Sequence, residues 1–155
     1  MHIRRATVAD VETLARFRVA LLEETGAHML AEDRDRMRQL NESFFRQNVT
    51  SSSWGNWLAE FEGEVIAVGT LAFFDRPPYP GNPEGKDAYF LNMYTLPAHR
   101  GRGAAKLVLQ ASLQEAKARG VRKLILHATE SGHPMYAQAG FQASQAYMEL
   151  SIQPE

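Results

Sequence analysis

The sequence contains no cysteine, and that absence removes several kinds of chemistry at once. Without thiols the chain forms neither disulfides nor thiolate metal sites, and no acyl group is carried on a cysteine during a reaction. The sequence also lacks any apolar run of about 18 residues, the length that a membrane-spanning helix needs. Residues 1–5 lack the apolar core of a signal peptide, so we expect a cytoplasmic protein without a membrane partner.

An excess of charge of either sign is missing as well. The formal net charge is −1, which gives no general case for a nucleic-acid partner, so any anion must be bound locally. The five histidines show no metal-binding spacing such as His-Glu-x-x-His, and we expect no metal. A length of 155 residues and a hydrophobic fraction of 45% predict one globular domain.

Apolar periodicity and turn residues predict an alternation of strands and helices. We expect strands at 2–7, 54–61, 65–74, 88–96, 121–129 and 143–150, and helices at 9–24, 32–47, 101–119 and from about 131 to 140. Glu62 and Gly63 form a hairpin turn, and the proline-rich residues 75–87 form a loop long enough for function. Meander strands followed by a strand–helix–strand crossover predict a mixed α/β sheet with helices on both faces.

One stretch combines the features of a phosphate site. An apolar strand is followed by Pro97 and by a turn with Gly101 and Gly103 that opens a helix. The first amides of a helix lack intrahelical acceptors, and the helix dipole places about half a positive charge there. Glycine lets a ligand approach the backbone closely. Three basic residues add positive charge, namely Arg100, Arg102 and Lys106.

Spacing excludes two common kinds of phosphate site. A dinucleotide-binding turn needs Gly-x-Gly-x-x-Gly, but Lys106 stands where a third glycine would follow Gly101 and Gly103. A P-loop needs a glycine, four residues and then Gly-Lys-Ser/Thr, and the sequence has no such string. The pattern that fits is Arg-x-x-Gly-x-Ala, formed by Arg100, Gly103 and Ala105.

Residues 92–105 resemble the acetyl-CoA-binding signature of the Gcn5-related N-acetyltransferases (the GNAT family), Arg/Gln-x-x-Gly-x-Gly/Ala. Residues 134–141 are similar to the family's later Leu-Tyr-x-x-x-Gly-Phe motif, and residues 3–7 with Asp10 are typical of its N-terminal part. The element order matches the family over essentially the whole chain. The resemblance implies a single domain across residues 1–155, whose mostly antiparallel sheet of about six strands splays into a V between the fourth and fifth strands.

The resemblance implies acetyl-CoA as a co-substrate. In this family the central strand carries a bulge, and Met93, Tyr94 and Thr95 would pair through their backbone with the pantetheine arm. An amide within residues 91–93 would polarise the thioester carbonyl. The pyrophosphate would lie on the amides of the glycine turn. Together with Arg100, the residues of this turn are Gly101, Arg102, Gly103, Ala104, Ala105 and Lys106. Many relatives dimerise, so a homodimer is a further expectation.

The resemblance also implies catalytic residues. Tyr136 aligns with the family's general-acid tyrosine, and the alternative is a core tyrosine that packs on the sheet. Asp87, at the start of the central strand, and Glu130, at the end of the next, are the candidates for a general base. For each of them a loop or capping carboxylate is the alternative. Many family members instead deprotonate the amine through ordered water.

The acceptor is an amine whose identity the sequence leaves open. Acidic residues flank the connection between the first two helices, where the family often places its acceptor, and carboxylates there would suit a cationic amine. The alternative is ordinary charge on a helix surface. These residues are Glu23, Glu24, Glu32 and Asp33. We expect direct acetyl transfer to a small acceptor through a ternary complex. The absence of cysteine agrees with direct transfer, since no thiol can hold the acetyl group. The competing hypotheses are acetylation of a protein amine, a non-catalytic acyl-CoA sensor and a generic nucleotide-binding domain.

Overall fold

The computed structural model describes residues 1–152 of the chain. Within them, strands and helices follow the order β1, α1, α2, β2, β3, β4, α3, β5, α4. The strands are β1 (His2–Arg5), β2 (Trp54–Phe61), β3 (Glu64–Asp75), β4 (Lys86–Thr95) and β5 (Lys123–Leu126). The helices are α1 (Val11–Glu24), α2 (Ala31–Asn48), α3 (Ala104–Ala118) and α4 (His133–Gln138). None of these helices is both long and apolar enough to cross a membrane.

The strands form one open sheet in the order β1-β2-β3-β4-β5. The first four strands pair antiparallel, and β5 pairs in parallel with β4. A parallel neighbour requires a crossover, which α3 supplies. One core cluster packs α1 and α2 on one face of the sheet, and another packs α3 on the opposite face. The predicted mixed sheet with helices on both sides is confirmed.

The start of α1 is fastened to the first strand. The guanidinium of Arg4 in β1 lies 2.8 Å from Asp10 Oδ1, and the Thr7 backbone N–H donates to Asp10 Oδ2 at 2.7 Å. This second bond is the carboxylate half of a capping box formed by Thr7 and Asp10. Arg4 also donates to Glu60 in β2 at 2.8 Å. One side chain thus connects two strands and a helix terminus.

The hairpin turn at Glu62 and Gly63 is confirmed, because both residues have a positive φ, of 52° and 83°. The sheet has five strands where about six were expected, since residues 143–150 pair with no strand. Their side chains do reach β5 and its end: Glu149 lies 3.2 Å from the His127 ring. The segment and β5 line a shared cleft of about 630 Å³, and no backbone ladder joins them in the described part of the chain.

Candidate active site

The site begins with a bulge in the central strand. Asn92 and Met93 of β4 lie opposite the single residue Gly69 of β3. Asn92 has a φ of 57°, in the left-handed region that asparagine enters more readily than most residues. A bulge bends its strand and increases the local twist. The expected bulge is therefore present, and it lies within the segment where the acetyl-CoA arm was expected.

Strands β4 and β5 separate near this bulge. Their pairing ends at Phe90 and Leu126, although β4 continues to Thr95. The backbone groups of residues 91–95 that face β5 consequently have no strand partner. The Thr95 hydroxyl is buried and also lacks a hydrogen-bond partner among residues 1–152. The splayed V is confirmed, and its open edge offers hydrogen bonds to an extended ligand.

Side chains from both helical layers hold the open part of β4 in place. Tyr94 is buried on the α1 side, where its ring packs edge-on against Phe17 with 5.6 Å between centroids. Met93 packs on the α3 side against two apolar clusters, one of which contains Val108. The edge that faces the V is therefore fixed by packing even though it has no strand beside it.

The glycine turn follows the end of β4. Gly101 and Gly103 have φ values of 74° and 83°, and a Cβ at either position would have nothing within 4 Å. Helix α3 starts at Ala104, and the amides of residues 101–106 donate no backbone hydrogen bond within the described chain. Leu107 is the first to donate back, to the Gly103 carbonyl at 3.1 Å. Open glycines and unused amides at a helix N-terminus fit a phosphate group.

The three basic side chains near this turn differ in their partners. Arg100 lies 2.6 Å from Glu24 and donates to the Thr95 carbonyl at 3.0 Å. Arg102 and Lys106 are exposed and form no ion pair within residues 1–152. These two side chains are available to a phosphate, whereas Arg100 ties the end of α1 to the end of β4.

Tyr136 in α4 lies where the V opens. It is 7% exposed, and its ring packs edge-on against Phe90, the last β4 residue paired with β5, with 6.3 Å between centroids. Phe141 packs against it at 5.8 Å. Burial raises the pKa of the Tyr136 hydroxyl to about 12. The hydroxyl is therefore protonated at neutral pH, and its ring is held at the apex of the V.

The two predicted base candidates have different surroundings. Asp87 is 1% exposed, accepts a hydrogen bond from Asn82 at 2.8 Å, and lies 2.7 Å from Arg76 Nε. That last distance is an ion-pair distance, although the guanidinium N–H is not aligned for a hydrogen bond. Glu130 is exposed in the turn after β5 and forms no ion pair within the described chain. No hydrogen bond joins either carboxylate to Tyr136 among residues 1–152.

A cavity of about 190 Å³ lies beside the bulge, between the two N-terminal helices and the sheet. Leu91 and Asn92 belong to both the cavity wall and the open segment of β4, so the cavity and the V share one stretch of strand. An acceptor in this cavity would meet the thioester arm at the bulge. The other polar or aromatic lining residues include Arg18, Asn41, Phe44, Trp54 and Thr70.

A buried chain of polar side chains runs under this cavity. Asn92 Nδ2 lies 3.4 Å from Thr70 Oγ1, and the Thr70 hydroxyl donates to Asn56 Oδ1 at 2.9 Å. Asn92 Oδ1 and Asn56 Nδ2 are buried and have no partner in the described chain. No pattern in the sequence predicted that Asn56 and Thr70 would lie at or under this cavity. Asn92 could have been identified as a candidate site residue, because its polar side chain interrupts an otherwise apolar strand.

Arg18 was not predicted as a site residue either, although the sequence marks it in the same way as Asn92. It lies four residues after Leu14 and three before Leu21, on the apolar stripe of α1, where a charged residue is out of pattern. The acidic residues at the connection between α1 and α2 do not reach this cavity within the described chain. Glu23 pairs with Arg34 at 2.5 Å, and none of the four acidic residues lines the cavity. Their contacts favour the alternative of helix-surface charge.

Known proteins are similar to this chain in both fold and sequence. The acetyltransferase (GNAT) family model matches residues 18–141. The uncharacterized N-acetyltransferase YjgM of Escherichia coli (strain K12) is 27% identical over 143 residues, which cover 90% of this chain and 81% of YjgM. A predicted acetyltransferase from Clostridium acetobutylicum, solved with acetyl-CoA, is 31% identical with a TM-score of 0.84, and 97% of this chain and 95% of that chain are covered.

A GCN5-related N-acetyltransferase from Ralstonia eutropha JMP134 is 30% identical with a TM-score of 0.85, and 97% of each chain is covered. Similarity in overall fold thus accompanies similarity in sequence for both solved relatives. The protein belongs to the GNAT family of acetyltransferases. The resemblance noted in its sequence is confirmed.

Proposed function

We propose that this protein transfers the acetyl group of acetyl-CoA directly to the primary amine of a small acceptor, with Tyr136 as general acid to the CoA thiolate. The observation that carries the proposal is the position of Tyr136 against Phe90, where β4 and β5 separate. When bound, acetyl-CoA supplies an activated thioester. The solved relative from Clostridium acetobutylicum was crystallised with this molecule, which supports the same co-substrate here.

The residues present fit acetyl-CoA on two observations. The backbone of Met93, Tyr94 and Thr95 lies in the unpartnered edge of β4 and would hold an extended arm. The amides of residues 101–106 would hold the pyrophosphate, with the charges of Arg102 and Lys106 beside them. Arg100 would take part directly only by exchanging its contact with Glu24, so we assign it first to positioning the turn.

Tyr136 acts through its hydroxyl proton. An ordinary thiol has a pKa of about 8.5, so a hydroxyl whose pKa is about 12 holds its proton more tightly than a solvated thiolate would. The tyrosine therefore first stabilises the leaving sulfur by donating a hydrogen bond. The proton follows if the same apolar surroundings raise the pKa of the thiol, because burial disfavours the thiolate as it disfavours the phenolate.

The attacking amine must be neutral, and we do not assign its deprotonation to Asp87. The contacts of Asp87 with Arg76 and Asn82 favour a structural role in holding the proline-rich loop against β4. Glu130 is exposed and remains the carboxylate candidate. The amine can alternatively lose its proton to water at the open V, a route that requires no side-chain base.

Release of free CoA tests the proposal. Wild-type protein is mixed with acetyl-CoA and a panel of amines, and the new thiol is measured with a colorimetric reagent. We expect CoA release that depends on the acceptor and a raised melting temperature with acetyl-CoA. Binding of acetyl-CoA without turnover on any amine would instead favour the sensor hypothesis. A melting temperature raised by ATP or NAD, in competition with acetyl-CoA, would favour a nucleotide-binding domain.

A further inference from the structure

Arg18 is a half-buried cation that has no counter-ion within residues 1–152. It lies on α1 and lines the cavity of about 190 Å³ beside the bulge. Within residues 1–152 it forms no ion pair and no side-chain hydrogen bond, although ten other arginine, lysine or histidine side chains there do form ion pairs. Partial burial lowers its pKa. A charge withdrawn from water without a partner is costly, so a ligand that supplies the partner would gain that free energy.

The rest of the cavity is polar on its floor and apolar on its wall. Asn92 Oδ1, which is buried and unpartnered, lies at the floor. The wall is aromatic: the rings of Phe44 and Trp54 meet edge-on with 4.9 Å between centroids. The volume of about 190 Å³ is below the roughly 300 Å³ at which pockets for drug-sized ligands begin. The cavity therefore suits a small molecule with an apolar body.

The charge on the cavity lining is positive. Arg18 is the charged residue among those that line it, and no carboxylate lines it in the described chain. A second ammonium group on the acceptor would meet Arg18 and be repelled. A carboxylate would be attracted, and the planar guanidinium donates two parallel hydrogen bonds to carboxylates.

Building on the proposed function, we infer that the acceptor is a small primary amine that also carries a carboxylate, as an apolar amino acid does, and that Arg18 pairs with this carboxylate. The amine would then face the bulge at Asn92, where the cavity meets the V. Arg18 is in this sense a specificity residue, since it selects the acceptor and takes no part in moving a proton.

Binding of the acetylated products tests this inference without requiring turnover. The probes are the N-acetyl derivatives of leucine, methionine and phenylalanine, each compared with its own carboxamide, by calorimetry in the presence of CoA. We expect the wild type to bind the acids about tenfold or more tightly than the amides, because charge-assisted hydrogen bonds are lost in the amide. Arg18→Gln should abolish this preference, and Arg18→Lys should restore part of it.

Arg36→Gln is the matched control. Arg36 is exposed on α2 and forms no ion pair within the described chain, so the same charge change there should leave the preference intact. Acetyl-CoA should raise the melting temperature of Arg18→Gln as it does that of the wild type, which shows that the variant is folded. Equal affinity for acid and amide in all three pairs, or an unchanged preference in Arg18→Gln, would overturn the inference.

Turnover separates this inference from the function on which it builds. With leucine, leucinamide and 3-methylbutylamine as acceptors, we expect Arg18→Gln to raise KM for leucine by about tenfold and to leave kcat and the amine's KM nearly unchanged. CoA release that is equal for acid, amide and amine contradicts the carboxylate site alone. Absence of CoA release with every acceptor contradicts the proposed acetyl transfer. The role of Arg18 is then still decided by whether the protein binds the N-acetyl acids more tightly than their carboxamides.

Discussion

A methyl group placed on Gly69 would lie 2.7 Å from Val108 Cγ1, so β3 and α3 approach each other too closely for any side chain between them. Gly69 is also the single residue opposite the two-residue bulge of β4. The contact that seats α3 on the sheet therefore lies directly behind the bulge. Because Gly69 has no side chain, α3 can pack directly against β3 behind the bulge. This packing also positions the glycine turn from which α3 begins.

Gly69→Ala tests this contact. The added methyl would also meet the Phe90 ring at 3.0 Å, and overpacking of this kind costs about 1–3 kcal/mol of unfolding free energy. Removing the opposing methyl groups should relieve the strain. In a double-mutant cycle with Val108→Ala, the combined loss should be smaller than the sum of the two single losses. Additive losses in denaturant unfolding would show that the contact is not the cause.

Tyr136→Phe should lower kcat by about a hundredfold or more while KM for acetyl-CoA stays nearly constant. The variant keeps the ring that packs on Phe90 and Phe141 and removes only the hydroxyl. Its melting temperature should therefore be close to that of the wild type. Tyr79→Phe, which removes a hydroxyl from an exposed loop residue, is the control and should retain full activity. An unchanged kcat in Tyr136→Phe removes this residue from the mechanism.

Gly103→Glu should abolish acetyl-CoA binding, because it places a side chain and a negative charge at the start of α3. The substitution also strains the backbone, since Gly103 has a φ of 83°. Gly63→Glu is a matched control: Gly63 has the same φ of 83° and equally open space, but lies in the β2–β3 hairpin. Both variants should lose roughly 1–2 kcal/mol of stability. In calorimetry, loss of acetyl-CoA binding in both would mean that strain alone explains the effect.

The pair of Arg4 and Asp10 should make stability depend on pH in the acid range. The hydrogen bond from Arg4, with help from Thr7, lowers the pKa of Asp10 from 3.8 to about 2. A carboxyl whose pKa is lower in the folded state stabilises the fold above its unfolded pKa and loses that contribution as the pH falls. We therefore expect roughly 2 kcal/mol to be lost between pH 4 and pH 2.

Asp10→Asn provides the comparison for this pH effect. The variant should be less stable than the wild type at pH 7, and the difference between the two should shrink as the pH falls through the same window. Chemical unfolding of both proteins at a series of pH values measures this difference in unfolding free energy. A difference that is the same at pH 7 and pH 2 would mean that Asp10 acts without its charge.

Asp87→Asn should separate a structural from a catalytic role. If the carboxylate fastens the proline-rich loop, the variant loses about 1–3 kcal/mol of stability because Arg76 is left without its partner. Hydrogen exchange in residues 76–86 should become faster, and kcat below the melting temperature should change little. Asp75→Asn, at the exposed end of β3, is the control. A large fall in kcat with unchanged hydrogen exchange would instead indicate that Asp87 is a catalytic residue.

Local patterns were enough to predict the elements whose conformation depends on a short stretch of sequence. The hairpin at Glu62 and Gly63, the glycine turn before α3 and the apolar stripe of α1 are set by nearby residues, and each was predicted correctly. Strand 143–150 was not, because alternation describes a face and leaves the pairing partner undefined. Its side chains contact the β5 side of a cleft instead of forming a ladder with it.

The chemistry of the site divides in the same way. The sequence by itself determined the GNAT membership and the glycine turn that opens α3, since both are carried by short motifs of neighbouring residues. Phosphate binding at that turn and the general-acid role of Tyr136 stay predictions. Only the tertiary structure decided that Arg100 pairs with Glu24 and that Asp87 is buried beside Arg76. It also decided that Arg18 lines the cavity beside the bulge with no counter-ion among residues 1–152. Those three outcomes depend on which charges long-range packing brings together, and spacing along the chain does not record that.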